Sequence, residues 1–391
     1  MRLILFTGKG GVGKSSLAAA TAVLSARGGT KTLLVSSDLA HNLADIFQLH
    51  FSEGTVEACD NLWLLEVNVL REIRDHWEPV QDYIAQFLTY LGMQSIIAEE
   101  VTLIPGMDEL LVLTRIQREV ESGWFDTVII DCAPTGTMLQ VLTMTDSSSQ
   151  KFNRLLKLER NILKLIRPVG RKIRGVKEIL PEDEVYQSLG KLVENIGRLG
   201  EWLKDPQVCS IRLVLNPDSI AVAETRRAFT YLSLFGFPVD AIFVNKVFPD
   251  ELSSGYFAQL CQSQQQELQT IEKSFLTTKI FQIRHLESSP MGLDSLMKLG
   301  KEIYGKENPG QCFSTCHPVT FDKEGDHVLL TFVLPGLDKT NLNIEQKEND
   351  LIITAGDHFR ILQLPDSLVG REITGAKYKN NQLVVHFGCK P

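Results

Sequence analysis

Gly8-Lys9-Gly10-Gly11-Val12-Gly13-Lys14-Ser15 stands close to the start of the chain and has the spacing G-x-x-x-x-G-K-S. Glycines at such positions let a loop bend until its backbone N–H groups converge on phosphate oxygens. An apolar run precedes the loop and a helix-forming run follows it, so a helix N-terminus adds its positive dipole end. In this arrangement Lys14 reaches the β- and γ-phosphates and the Ser15 hydroxyl ligates Mg²⁺, with Ser16 beside it in the nucleotide-binding set. Lys9 is an additional lysine that a phosphate cradle does not require. Two carboxylates, Asp38 and Asp131, each follow an apolar run, Leu33-Leu34-Val35-Ser36-Ser37 and Val128-Ile129-Ile130. Ligands of open α/β sheets bind at the carboxyl ends of strands, so both acids are expected to face the loop. Asp131 fits a carboxylate that holds Mg²⁺ directly or through water, and Asp38 one that orients and deprotonates an attacking water.

The elements that must position these groups are legible as alternation. Residues 3–6, 32–36, 127–131, 211–215 and 241–245 are nearly continuous apolar runs, suited to strands buried on both faces. Helical stretches such as 14–27 and 108–121 separate them. The pattern predicts a doubly wound, mostly parallel α/β sheet of the P-loop NTPase type over 1–305. Two stretches, 78–102 and 146–206, are long and helical and predict a helical subdomain. From Pro309-Gly310 the character changes, and 306–317 is read as a linker. Five short strand-like runs follow, at 327–334, 341–346, 351–354, 359–364 and 382–387. Asn349-Asp350 and Asn380-Asn381 supply hairpin chemistry. The expectation for 318–391 is a small all-β sandwich.

Composition sets outer bounds. The chain has 391 residues, 40 Lys+Arg against 48 Asp+Glu, a net charge of −8, and 43% apolar residues. This is ordinary globular composition, and it excludes a disordered chain, a collagen and a coiled-coil rod. Net acidity argues against nucleic acid as a partner. No apolar run approaches the ~20 residues that span a bilayer. The start of the chain does not read as a secretory signal or a transit peptide. The 7 cysteines are scattered rather than arranged as a disulfide framework, which points to a reduced, cytoplasmic compartment.

At family level the motifs are specific. The loop K-G-G-x-G-K-S resembles the deviant phosphate loop of the MinD, nitrogenase iron-protein and arsenite-pump ATPase class. Asp38-Leu39-Ala40-His41-Asn42-Leu43-Ala44-Asp45 resembles switch I of the arsenite-pump ATPases and of the GET-pathway ATPases that target tail-anchored membrane proteins. Asp131-Cys132-Ala133-Pro134-Thr135-Gly136-Thr137 resembles their switch II, and Pro105-Gly106-Met107-Asp108-Glu109 a further family segment. Asn245 matches the asparagine that reads the adenine edge. The resemblance implies ATP hydrolysis with ATP and Mg²⁺, in a homodimer whose nucleotide state opens and closes it. Lys9 would act across the dimer on the partner's nucleotide. Asp38, His41, Asn42, Asp131, Pro134 and Gly136 would form the switches. Leu39 stands where the family has proline, and Thr137 where it often has histidine; both departures bear on coupling. The C-x-x-C that binds zinc between subunits in fungal and animal relatives has only Cys261 in the corresponding stretch, so no zinc is expected. Cys312, Cys316 and His317 have the wrong spacing and count for a standard metal site.

Two further stretches bear on partners. Val333-Leu334-Pro335-Gly336-Leu337, Asn349-Asp350-Leu351-Ile352-Ile353 and Leu364-Pro365 resemble the α-crystallin-like domain of small heat-shock proteins, the alternative being a plain structural sandwich. Residues 151–177 hold ten Lys/Arg and one acid, Glu159, with Leu155, Leu156, Ile162, Leu163 and Ile166 on an apolar face. Such a segment reads as partner-binding or membrane-surface, or as a helix packed on the core with solvated lysines. By resemblance this layer, with Met93, Met138 and Met144 in or near it, would hold a hydrophobic or tail-anchored client. The expected role is a chaperone or targeting ATPase with transient membrane-surface contact. The alternatives are the energising subunit of an arsenite or anion pump, and a nucleotide-gated scaffold.

Overall fold

Seven of the eight strands of the main sheet run parallel, and their side chains explain why. β1 (Arg2–Gly8), β2 (Thr32–Ser36), β5 (Thr127–Asp131) and β6 (Cys209–Leu215) are buried along almost their whole lengths. In the computed structural model they form the centre of the order β3-β4-β2-β5-β1-β6-β7-β8. Described are residues 1–37, 43–49, 54–72, 74, 107–132, 135–145, 183–324, 327–335, 337, 339–356, 358–364, 368 and 370–389. β7 (Val239–Val247) and β8 (Lys279–Arg284) extend the sheet in parallel on one side. On the other side β4 (Leu62–Glu66) pairs in parallel with β2, and β3 (Thr55–Cys59) closes the edge antiparallel to β4. The expected mostly parallel sheet is therefore present. β3, β4 and β8 were not anticipated: they are edge or near-edge strands, and β3 and β8 carry exposed positions that break up an apolar run.

The helix α1 (Lys14–Arg27) is rich in alanine and buried on most of its surface. Its small side chains let the helix Gly292–Tyr304 pack close, with Gly300 against the backbone of Ala20; any Cβ at Gly300 would meet the Ala20 carbonyl at 2.8 Å. Gly8 is under the same constraint, since a Cβ there would overlap the Val214 carbonyl of β6.

The chain divides into two compact units, residues 1–66, 122–139 and 202–391, and residues 67–121 and 140–201. The second unit is helical where it is described. Within it Glu72 pairs with Arg115 at 3.5 Å, and Arg198 with Glu121 at 3.1 Å. Residues 78–102 and 151–182, the bulk of the expected helical subdomain, lie outside the described residues.

The first unit includes a second β structure. One sheet has the order β14-β15-β10-β9 and the other β11-β12-β13. Their strands are β9 (Val319–Glu324), β10 (His327–Val333), β11 (Leu342–Lys347), β12 (Asp350–Ala355), β13 (His358–Gln363), β14 (Arg371–Lys379) and β15 (Gln382–Cys389). Alternate residues point inward, as in Leu330/Phe332, Leu351/Ile353 and Leu383/Val385/Phe387, all buried. The expected sandwich is present with two strands, β9 and β14, that were not foreseen. Asn380 and Asn381 both have positive φ, 52° and 62°, as a two-residue hairpin turn requires. The other turn falls one residue earlier than read, at Glu348-Asn349, with Glu348 at φ 53°.

Within 306–317, Gln311 and Phe313 contact a buried ion pair of the sheet. Arg212, fully buried, places its Nε 3.5 Å from Asp240 Oδ1. It also donates to the Tyr304 hydroxyl at 3.0 Å and to the Gln311 carbonyl at 3.2 Å. The Phe313 N–H donates to Asp240 Oδ2 at 3.2 Å, and the Phe313 ring lies 4.9 Å from the guanidinium. Burial pushes the Tyr304 phenol above its ordinary range, with Arg212 opposing that shift. The sandwich is tied to the helix Ser219–Leu234 by Thr230 Oγ1 on the Pro335 carbonyl at 2.8 Å. Arg360 adds a hydrogen bond to the Leu234 carbonyl while lying over Phe235. Removing one charge from the Arg212–Asp240 pair leaves the other buried and unmatched. Asp240→Asn is expected to destabilise by ~3–5 kcal/mol, read as a lowered urea midpoint; an unchanged midpoint would show that the pair holds nothing in place.

Candidate phosphate-binding site

The phosphate loop connects β1 to α1, and its conformation follows from its glycines. Gly11 and Gly13 have φ of +77° and +97°. Gly13 serves as the N-cap of α1 with no side-chain cap, and no acidic residue occupies the first turn. The first N–H groups of a 14-residue helix thus face the loop, and two carboxylates, Asp45 and Glu287, line the same cavity. Lys14 is only 8% exposed, and among the described residues its ammonium makes one hydrogen bond, to the Lys9 carbonyl at 3.3 Å. Lys9, Gly10 and Gly11 are exposed, while Ser15 and Ser16 are half-buried in the first turn of the helix. The loop thus concentrates positive potential and supplies few groups of its own to answer it.

Neighbouring strand ends complete the site. Asp131, at the end of β5, is 1% exposed. Its carbonyl accepts from the Ser37 N–H at 3.0 Å and from the Ser37 hydroxyl at 3.1 Å. The end of β2 is thereby fastened to the end of β5, and position 38 follows directly. Asp38, His41, Asn42 and Pro134 themselves lie outside the described residues. Beyond them, the short helix α2 (Leu43–Phe47) has its first N–H groups accepted by Glu66 Oε1 at 3.1 and 3.3 Å. Gly136 is exposed at the start of the helix Thr135–Thr145. Cys132 is buried, its thiol pushed well up by burial and by Asp131 next to it, so it is not a thiolate nucleophile.

Asn245 stands on the other side of the loop. Its Nδ2 donates to the Val12 carbonyl at 2.8 Å, and its Oδ1 accepts from the Lys246 N–H at 2.9 Å. A Cβ at Gly13 would overlap that amide nitrogen, so Gly13 is required by packing as well as by φ. Lys246 has a left-handed φ of 60° and extends its ammonium to the Gly11 carbonyl at 2.9 Å. The structure therefore places Asn245 as a strut under the loop.

A cavity of about 670 Å³ opens over these groups. Gly11, Lys14 and Ser15 line it together with Asp45, His285, Glu287 and Met291. The segment after β8 was missed in the sequence because β8 itself was missed. Lys246 and Glu66 carry no motif signal, and only the fold reveals them. The volume, the open helix N-terminus and the buried Lys14 fit a nucleoside polyphosphate. The half-buried Ser15 hydroxyl and the buried Asp131 carboxylate are oxygen donors of the kind Mg²⁺ takes.

Other expected sites fare differently. Leu155, Leu156, Ile162, Leu163, Ile166 and Met93 lie outside the described residues. Met138 is 4% exposed, so it belongs to the core and not to an open client surface. Cys261 is half-buried and directs its Sγ to the Leu252 carbonyl at 3.3 Å, and Cys312 directs its own to Ser314 at 3.0 Å. Among the described residues no group of three or more His, Cys, Asp and Glu is placed to hold a metal ion. No helix among them is long and apolar enough to cross a membrane.

A mostly parallel sheet, a glycine loop and an open helix N-terminus together define a P-loop NTPase fold. Residues 1–305 match the family model described as anion-transporting ATPase, and residues 325–387 match the HSP20-like domain found in ArsA. The chain belongs to this ArsA ATPase family. It is 31% identical over 388 residues to a "Putative arsenical pump-driving ATPase" of Chlorobaculum tepidum, covering 99% of this chain and 96% of that protein. It is also 31% identical over 395 residues to "Putative arsenical pump-driving ATPase 1" of Aquifex aeolicus, covering 98% and 99%. "ATPase ASNA1 homolog 2" of Paramecium tetraurelia is 26% identical over 255 residues, 64% of this chain and 78% of that protein.

The strut role of Asn245 is open to test. Asn245→Ala removes the donor from the Val12 carbonyl, worth ~1 kcal/mol, or about fivefold in nucleotide affinity. Faster amide exchange in the loop peptide should accompany that loss. Unchanged exchange with weakened binding would instead assign Asn245 to the base alone.

Proposed function

We propose that the protein is a Mg²⁺-dependent ATP hydrolase whose nucleotide state switches a homodimer. The observation that supports this most is Lys14, an ammonium almost wholly buried beside an uncapped helix N-terminus, under a cavity large enough for a nucleotide. In this reading residues 1–305 are the ATPase domain, 306–317 the connection and 318–391 the sandwich. Gly8, Gly10, Gly11, Val12 and Gly13 shape the phosphate cradle, and Ser15, with Ser16 beside it, follows at the start of α1. Ser15 and Asp131 hold Mg²⁺, directly or through water. When bound, that ion neutralises charge on the β- and γ-phosphates.

Asp38 orients and deprotonates the attacking water. Lys14 binds the γ-phosphoryl group and follows it into the transition state. Lys9, exposed at the rim of the loop, reaches the nucleotide of a second copy and meets charge that develops only in the transition state, the role of an arginine finger. Asn42 senses the nucleotide, and Asn245 borders the base. Asp38 to Asn42 and Asp131 to Gly136 act as switches whose order depends on the γ-phosphate.

The use we propose for this cycle is a chaperone or targeting role for hydrophobic or tail-anchored segments. It is supported by the basic apolar segment 151–177, by the HSP20-like domain and by the likeness to the Paramecium ATPases. A pump-energising role is the second reading, supported by what the bacterial relatives are named for. Stimulation of turnover by arsenite or antimonite favours the pump. Nucleotide-dependent co-purification with a transmembrane peptide, lost when Leu155, Leu156 and Ile162 are made polar, favours the client role.

Action of Lys9 in trans has a specific consequence. Lys9→Ala and Asp38→Asn proteins should each hydrolyse ATP at least ~100-fold more slowly than the unsubstituted chain. Mixed in equal amounts, they should regain activity. Half of the chains would then pair as heterodimers, each with one complete site, so recovery approaches a quarter of the original rate. Mixing without recovery would mean that Lys9 serves its own loop or that no dimer forms.

A further inference from the structure

We propose that the cleft between the helix Ser219–Leu234 and the β11–β13 sheet is a second binding site, for a small molecule carrying a phosphate or carboxylate group. The cleft encloses about 620 Å³ and shares no lining residue with the cavity over the phosphate loop. Its size lies within the ~300–1,000 Å³ of ordinary ligand pockets. Two consecutive arginines, Arg226 and Arg227, line it from the helix, and His358 and Asn343 from the sheet. Among the described lining residues there is no carboxylate, in a chain with more acidic than basic side chains.

The two arginines are not equivalent. Arg226 is half-buried and engaged in further interactions, as are Thr340 and His358, so that wall is preformed. The His358 ring is also held edge-on against Tyr231, with centroids 4.6 Å apart. Arg227 is exposed at the rim and has no ion pair among the described residues. A guanidinium presents paired donors that match a carboxylate or phosphate group, and a concave wall of one sign concentrates the field at its mouth. Leu337 and Leu342 give the cleft an apolar side, which suits an anion with a carbon body more than a bare ion. The walls are kept at fixed separation by Thr230 on Pro335 and Arg360 on Leu234. Asp338 and Asp357 adjoin the cleft in sequence and lie outside the described residues, so the test includes them.

The experiment titrates pyrophosphate and citrate calorimetrically into the full-length Lys14→Ala protein, whose phosphate loop is disabled. The expected result is one site per chain for at least one of the two, at physiological ionic strength. The preferred probe tells phosphate from carboxylate. Arg227→Glu in the same background should weaken that binding at least ~10-fold with an unchanged urea midpoint, and Arg227→Gln should weaken it less. Absence of binding by both probes overturns the proposal, as does binding indifferent to Arg227. Binding that appears only after Asp338→Asn or Asp357→Asn also overturns it, because the native cleft would then already be neutralised.

Discussion

A positive charge that the fold encloses at an uncapped helix N-terminus is the constraint around which this molecule is arranged. Lys14 is 8% exposed, and among the described residues its one hydrogen bond is to a carbonyl of its own loop, 3.3 Å away. Burying an ammonium is unfavourable unless it is paired. The helix behind it adds its positive end with no acidic side chain in the first turn. Such a point is stable only because the surrounding sheet holds it and because an anion can complete it. In the proposed function a multiply charged phosphate chain does so. On that proposal the same electrostatics would act more strongly on a transferring phosphoryl group, where charge is redistributed toward the bridging and equatorial oxygens.

The rest of the first unit keeps that point where it is. Gly8 has no Cβ because β6 lies against it, so loop and sheet cannot move independently. Asn245 supports Val12 from β7, and Ser37 ties the end of β2 to Asp131. Glu66 anchors the start of α2, accepting from the Leu43 and Ala44 N–H groups. Deeper down, Arg212 and Asp240 bind β6 and β7 to residues 311–313, and through that stretch the sandwich is seated on the same core. The HSP20-like domain is therefore part of the compact unit that carries the phosphate loop.

The glycine loop was readable from sequence because its shape is local. Eight consecutive residues specify a loop whose dihedrals and helix start follow from glycine content alone, and α1 spans the residues expected of it. The central strands were readable because burial on both faces leaves continuous apolar runs. β3, β8, β9 and β14 were not, since edge strands with one wet face carry mixed composition. Lys246, Glu66 and the segment at His285–Met291 escaped for a different reason. Their roles depend on which strand ends are neighbours, and that is a property of the sheet order. Asn245 shows the limit of motif reasoning: its identity pointed to the base, whereas its amide is also engaged beneath the loop. The contacts of Gln311 with Arg212 and of Phe313 with Asp240, 99 and 73 residues away, leave no mark on local composition.

The central claim is that Lys14 and its helix N-terminus are completed by the phosphates of ATP. Calorimetric titration of MgATP into the intact chain, beside Lys14→Ala, tests it most directly. The account predicts one nucleotide per chain and a loss of at least ~100-fold in affinity for the variant, which folds with an equal or higher urea midpoint because a buried charge has been removed. Equal binding of MgATP by the two proteins would contradict it.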